Sequence, residues 1–435
     1  MKRLVGFILC LLFVQDADCA YAPHLGAPFG WVRDVLLDPT PIKVRPFDLI
    51  LLVVLAMASS KNNGKSRFVV PMKNALMLAL ATTLVWFVYG LVRGGEFRFA
   101  SWQVYLILST ILLAFTVATV FRTPADFLAL GKWLLLAGSY RALMCWLSYL
   151  TWARGLVGGS GAFLTSHTDT ITWVVCILIL IVDAVERRSP MIALRNTLAI
   201  IFFLGAIQWN SRRLAWVSLG MGLAVLYFLF PPGMAKRRIN RVGLALLPLM
   251  TLYVVVGWGS EARIFLPLRS LSTVSTKEDS STLARNAENL GLIATANYAN
   301  PLFGSGWGRP YVFLTQKYDI SGFELWRYVP HNGILGLLAF TGILGFSGFW
   351  LAFPTSVFLN ARVALVSRDP KARSVALVGA AQMIVSANQF YGDMGLFTPE
   401  SMYVLAISYA IALRLPPLSG DWAAMKSSSS TNRLS

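Results

Sequence analysis

Pro330-His331-Asn332-Gly333-Ile334-Leu335-Gly336-Leu337-Leu338 is where this chain changes solvent. Residues 259–331 form its one long hydrophilic segment, and the apolar run that follows continues to about residue 358. About 20 apolar residues suffice to cross the hydrocarbon core of a bilayer, so this run reads as a membrane helix that begins just after His331. Only three histidines occur in the 435 residues, and His24 and His167 lie in short connectors. His331 and Asn332 therefore hold the boundary between the large loop and lipid. Two readings of the pair are open: a cap that bonds the first turn of the next helix, or a proton-accepting histidine at a reaction site.

The rest of the chain repeats the apolar theme. Hydrophobic residues make up 56% of it and charged ones 13%, which places it outside soluble domains and among polytopic membrane proteins. Apolar runs near spanning length lie at 4–20, 42–59, 69–92, 102–120, 126–150, 170–185, 191–207, 214–230, 242–258, 333–358, 374–391 and 395–414. The expected fold is an all-α bundle of about twelve spans, with a large external loop between the ninth and tenth. Residues 1–22 read as a signal peptide or a short first span, 42–258 and 332–414 as membrane helices, and 415–435 as a disordered cytoplasmic tail.

Lysine and arginine orient the bundle. Lys61, Lys65 and Arg67, then Arg187 and Arg188, then Lys236, Arg237, Arg238 and Arg241, then Arg362, Arg368, Lys371 and Arg373 all fall on one side when twelve spans alternate. The positive-inside rule makes that side cytoplasmic and the 259–331 loop external. The net charge of +18 is thus mainly a topology signal, and its dispersal over turns argues against nucleic-acid binding. Cys10, Cys19, Cys145 and Cys176 have neither a disulfide-framework nor a metal-ligand spacing.

Within the loop, Ser280 or Ser281 can cap a helix carrying Leu283, Ala287, Leu290 and Ala294 at helical spacing and ending before Asn300-Pro301. Arg285 falls in its first turn, where the helix dipole disfavours a cation, so it is either a ligand-binding group or an ordinary surface charge. Next comes Asn300-Pro301-Leu302-Phe303-Gly304-Ser305-Gly306-Trp307-Gly308-Arg309-Pro310. Its alternate glycines suit a tight structural turn, and their amides could alternatively bind an anion. Trp209-Asn210-Ser211-Arg212-Arg213 joins two spans externally, and two adjacent arginines on the side poor in positive charge suggest a bound anion. Arg141, inside the fifth span, needs a partner or water.

Ser-Arg at an external helix end, an arginine helix in a long external loop, Asn-Pro-Leu-Phe-Gly-Ser-Gly-Trp-Gly, and His331-Asn332-x-x-Leu335-x-x-Leu338-x-x-x-Gly342 together resemble the O-antigen ligase and O-antigen polymerase superfamily over about residues 205–350. The resemblance implies a metal-independent, cofactor-free glycosyltransferase of a bacterial inner membrane, with its site facing the periplasm. Its donor would be a glycan on undecaprenyl diphosphate, its acceptor a glycan or lipid A-core hydroxyl, and polysaccharide-export or chain-length proteins its companions. By motif, His331 matches the histidine that assists the acceptor, while Arg285 and Arg212 match the two arginines. Arg213, Asn332, Gly304 and Gly306 are the accompanying substrate-binding candidates. Two departures, Phe340 where many members are acidic and Asn289 where many have tryptophan, favour a polymerase of O-antigen or exopolysaccharide over a strict ligase. The rival class is a twelve-span transporter or lipid-linked sugar flippase, which predicts two similar halves; none are evident.

Overall fold

The computed structural model describes residues 1–15, 28–38, 45–61, 68–151, 164–166, 168–187, 189–258, 280–314 and 325–416, together with Ser260, Ala262, Phe265 and Leu268. Among these residues the protein is all helical. The helices are α1 (Lys2–Val14), α2 (Pro46–Ser60), α3 (Val70–Val92), α4 (Phe97–Val120), α5 (Pro124–Thr151), α6 (Asp169–Glu186), α7 (Pro190–Trp209), α8 (Arg213–Leu229), α9 (Met234–Gly257), α10 (Ser280–Ala299), α11 (Gly333–Trp350), α12 (Ala352–Val366), α13 (Pro370–Gly392) and α14 (Pro399–Arg414). A helix occupies each of the twelve stretches expected from apolarity. Five segments are long and apolar enough to cross a membrane: α3, α4, α7, most of α9 from Lys236, and the joined α11–α12 stretch Gly333–Val366. The acidic pair Glu278-Asp279, His24, His167, Cys19 and the tail beyond residue 416 lie outside the described residues.

Burial sorts the helices into an inside and a rim. α14 is buried over its whole length from Ser401 to Leu413, and the same holds for α6 from Asp169 to Leu178. α13 packs against α6, α8, α12 and α14, which makes it a central post. α9 does the opposite. Leu244 is 71% exposed and Val255 69%, an apolar surface that water would not tolerate but lipid would. The basic group Lys236, Arg237, Arg238 and Arg241 forms the opening turns of α9 and is no interhelical turn, because lysine and arginine extend a helix readily beyond its apolar part.

Arg141 finds its counter-charge on the next helix. Its Nε and one terminal nitrogen donate to the two Asp169 oxygens at 2.9 and 2.7 Å, and both residues are buried. Such a planar two-point match neutralises a charge that hydrocarbon would otherwise reject.

The expected helix 333–358 is interrupted. Gly342 adopts φ 61°, ψ −174°, which breaks the hydrogen-bond ladder inside α11. The glycine-rich stretch after α10 fills the break: Ser305 N–H donates to the Ala339 carbonyl (3.0 Å) and Gly306 N–H to Phe340 (2.8 Å). In return, Ile343 N–H donates to Pro301 (2.9 Å) and Leu344 N–H to Leu302 (3.1 Å). Backbone groups released by the kink are thereby paired by another piece of backbone, the condition for irregular chain inside an apolar protein.

Candidate functional site

The end of the bundle that carries His331 is built from four chain segments. α10 supplies the first. Glu288, Gly291 and Thr295 are spaced three and four apart and so share one face of the helix. On that face lies the extended segment after the glycine run, with Val312 N–H donating to Thr295 Oγ1 (2.7 Å) and Tyr311 Oη donating to Glu288 Oε1 (3.1 Å). Gly291 has no Cβ because the Val312 carbonyl occupies its place.

The second segment is the His331-Asn332 junction. The His331 amide donates to both Glu288 oxygens at 3.2 Å, and its ring Nδ1 lies 3.1 Å from Glu288 Oε2. Glu288 thus receives Tyr311, a backbone amide and the imidazole. In the tautomer with its proton on Nδ1, the imidazole donates to Glu288 and carries its acceptor nitrogen, Nε2, on the other edge of the ring. Glu288 is buried and the His331 side chain is 33% exposed. Burial, then the Glu288 charge, pushes the Tyr311 hydroxyl far up, so it stays a donor. Asn332 does cap α11, its Oδ1 accepting from Leu335 N–H at 3.1 Å. Its buried Nδ2 has no hydrogen-bond partner among the described residues.

The third segment is the link between α13 and α14. Met394 N–H donates to the His331 carbonyl at 2.8 Å, which ties Asp393 to the same corner. The fourth is the α7–α8 turn, where Arg212 N-caps α8. Burial lowers the Arg212 pKa to about 10; Asp393 opposes that fall and Arg285 adds to it. Arg212 is therefore within electrostatic reach of both, and it remains a cation at neutral pH. Arg285 lies one turn before Glu288 on α10 and is half-buried.

Arg212, Arg285 and His331 are accordingly brought to one corner, linked through Asp393, Met394 and Glu288. Arg213 opens α8 with an exposed side chain. The amides of Gly304 and Gly306 are already engaged by backbone. Their amides donate to Asn300 and Phe340, and a Cβ at either would collide with the backbone of the α11 break or of Gly90 on α3. Their glycine identity is accounted for by letting three backbones meet.

Glu288, Tyr311 and Asp393 escaped sequence reasoning. The one available signal for Glu288 was its place three residues after Arg285 on the same helix face. Among the described residues only Ser211 (φ 54°) and Met394 (φ 56°) are non-glycine residues with left-handed backbone, and each adjoins a charged residue of this corner. Such conformations cost free energy and concentrate where a side chain must be aimed. Neither a scan against protein-family models nor a search of curated proteins matches the chain.

Proposed function

We propose that the protein is a membrane glycosyltransferase that transfers or polymerises glycan from an undecaprenyl-diphosphate donor, with its site on the outer face of the membrane. The observation that carries this reading is the Glu288–His331 pair beside two arginines. A Glu288 contact at Nδ1 leaves Nε2 to act as the base, and the two guanidinium groups supply paired donors of the geometry that phosphate oxygens accept.

The chemistry follows from that arrangement. An acceptor hydroxyl gives its proton to His331 Nε2 as its oxygen bonds to the donor's anomeric carbon. The bond from that carbon to the diphosphate oxygen breaks, and the lipid diphosphate leaves with the electron pair. Arg212 and Arg285 face the charge that grows on that oxygen, which lowers the barrier. Asp393 favours the charged form of Arg212. The dispersed basic residues support an orientation with this corner in the periplasm.

The test is genetic and biochemical. In a deletion strain that accumulates lipid-linked oligosaccharide, the wild-type chain should restore long polymer, and His331→Ala should lower it by about 10²- to 10⁴-fold at equal protein level. Restoration of glycan on lipid A without long polymer would assign a ligase. Normal product from His331→Ala would remove the proposed base and the mechanism with it.

A further inference from the structure

The opposite, basic end of the bundle contains a feature that the proposed chemistry does not use. A cavity of about 740 Å³ lies between α5, α6, α7, α13 and α14, within the size range of pockets that hold small molecules. Its walls are largely aliphatic, from Leu130 and Leu134 on α5 to Val375 on α13 and Ile411 on α14. One side is not closed by protein, since the lining residue Leu136 is 57% exposed.

The charges at this cavity are unequal. Four basic and two acidic residues line it. Both acids are engaged: Asp183 lies 2.7 Å from Arg187 and 3.4 Å from Arg195, and Glu186 accepts both Arg373 donors at 2.8 and 2.7 Å. Lys132 and Lys371, both exposed, have no ion-pair partner among the described residues. Lys132 is the less expected of the two. It sits eight residues into α5, about 12 Å along the axis from Pro124, in the run Phe127-Leu128-Ala129-Leu130-Gly131-Lys132-Trp133-Leu134. A cation at that depth needs an anion, and its long stem can reach back toward the boundary where Lys371 begins α13.

We infer that this cavity binds one anionic phospholipid of the inner leaflet, with its acyl chains against the aliphatic walls and its phosphodiester between Lys132 and Lys371. Free phosphate would leave the apolar walls wet. A zwitterionic lipid would fill the walls and leave the lysines uncompensated. The inference requires that α5 crosses a bilayer with this basic end toward the cytoplasm, and it uses no part of the transferase chemistry.

The experiment measures lipid retention on the purified full-length protein by native mass spectrometry, after equilibration with phosphatidylglycerol or with phosphatidylcholine of the same acyl chains. Wild type should retain phosphatidylglycerol preferentially, and inorganic phosphate should not compete. Lys132→Gln with Lys371→Gln should weaken that retention roughly tenfold or more, since each lysine near an anionic lipid contributes about a kilocalorie per mole. Gly131→Leu should also displace the lipid while keeping every charge, because a Cβ at Gly131 meets only Ile179 Cδ1 at 3.9 Å and a larger side chain would grow into the cavity. Equal retention of the two lipids, or retention that survives either the lysine pair or Gly131→Leu in variants of wild-type thermal stability, would overturn the inference. Preferential displacement of phosphatidylglycerol by undecaprenyl phosphate would overturn it as well, and would make the cavity a substrate-lipid site.

Discussion

Arg212 is held where burial works against its charge, and a second cation on α10 adds to the penalty. Arginine survives this because it starts from a high intrinsic pKa. Lysine would not. A comparable penalty on a lysine, whose ordinary pKa is near 10.4, would bring it to a value well below that. Burial disfavours the cation, so charge is lost as pH rises through that value. Arg212→Lys should thus retain partial activity at about pH 7 and lose it by about pH 9, while wild-type activity in the same assay shows no such alkaline fall. An alkaline limb identical in both proteins would show that Arg212 does not face the reacting charge. His331 and the two arginines were legible in the sequence because rare or misplaced polar residues stand out in an apolar chain. Glu288 was not, since nothing local distinguishes an acid that is buried under a tyrosine from one in water. Tyr311 lies 23 residues further on, and only the fold brings the two together.

The helices themselves were legible by apolarity, and their boundaries erred where charge extends a helix, as at the start of α9. The kink in α11 was hidden, because glycine is ordinary in membrane helices and Thr341-Gly342 carries no other mark. Its dependence on residues 300–306 suggests a paired test. Gly342 and Gly94 both have positive φ, at 61° and 86°. A Cβ at Gly342 would overlap the Leu302 backbone, whereas a Cβ at Gly94 meets nothing within 4 Å. Gly94→Ala should therefore cost only the backbone term, about 1 kcal/mol, and Gly342→Ala distinctly more, because the loop has to withdraw from the kink. Thermal midpoints of the two purified variants check this. Equal midpoints would mean that the loop is not wedged into α11.

For the whole molecule, orientation and internal charge pairing are the properties at stake. Reporter fusions at Lys236 and Arg368 should read cytoplasm and a fusion near Ser275 periplasm, since the basic residues collect on one side. A cytoplasmic signal at Ser275 would put the His331 corner on the wrong face. Asp169→Asn should destabilise the bundle by about 3–5 kcal/mol by removing the two-point partner of Arg141, and replacing both partners with apolar residues of similar size should recover most of the loss. Thermal unfolding of the single and double variants measures this. Arg141 announced from sequence that it needed a partner. Which residue would serve was not readable, because Asp169 stands at the edge of its own apolar run and becomes buried only when α6 docks against α5.

The reciprocal bonds between residues 301–306 and the kinked α11 also constrain the order of assembly. The loop is synthesised before the helix that it must enter, so its amides and carbonyls have no partners in α11 until residues 339–344 have been made. The His331 corner closes later still, because Met394, whose N–H donates to the His331 carbonyl, follows α13 in the chain.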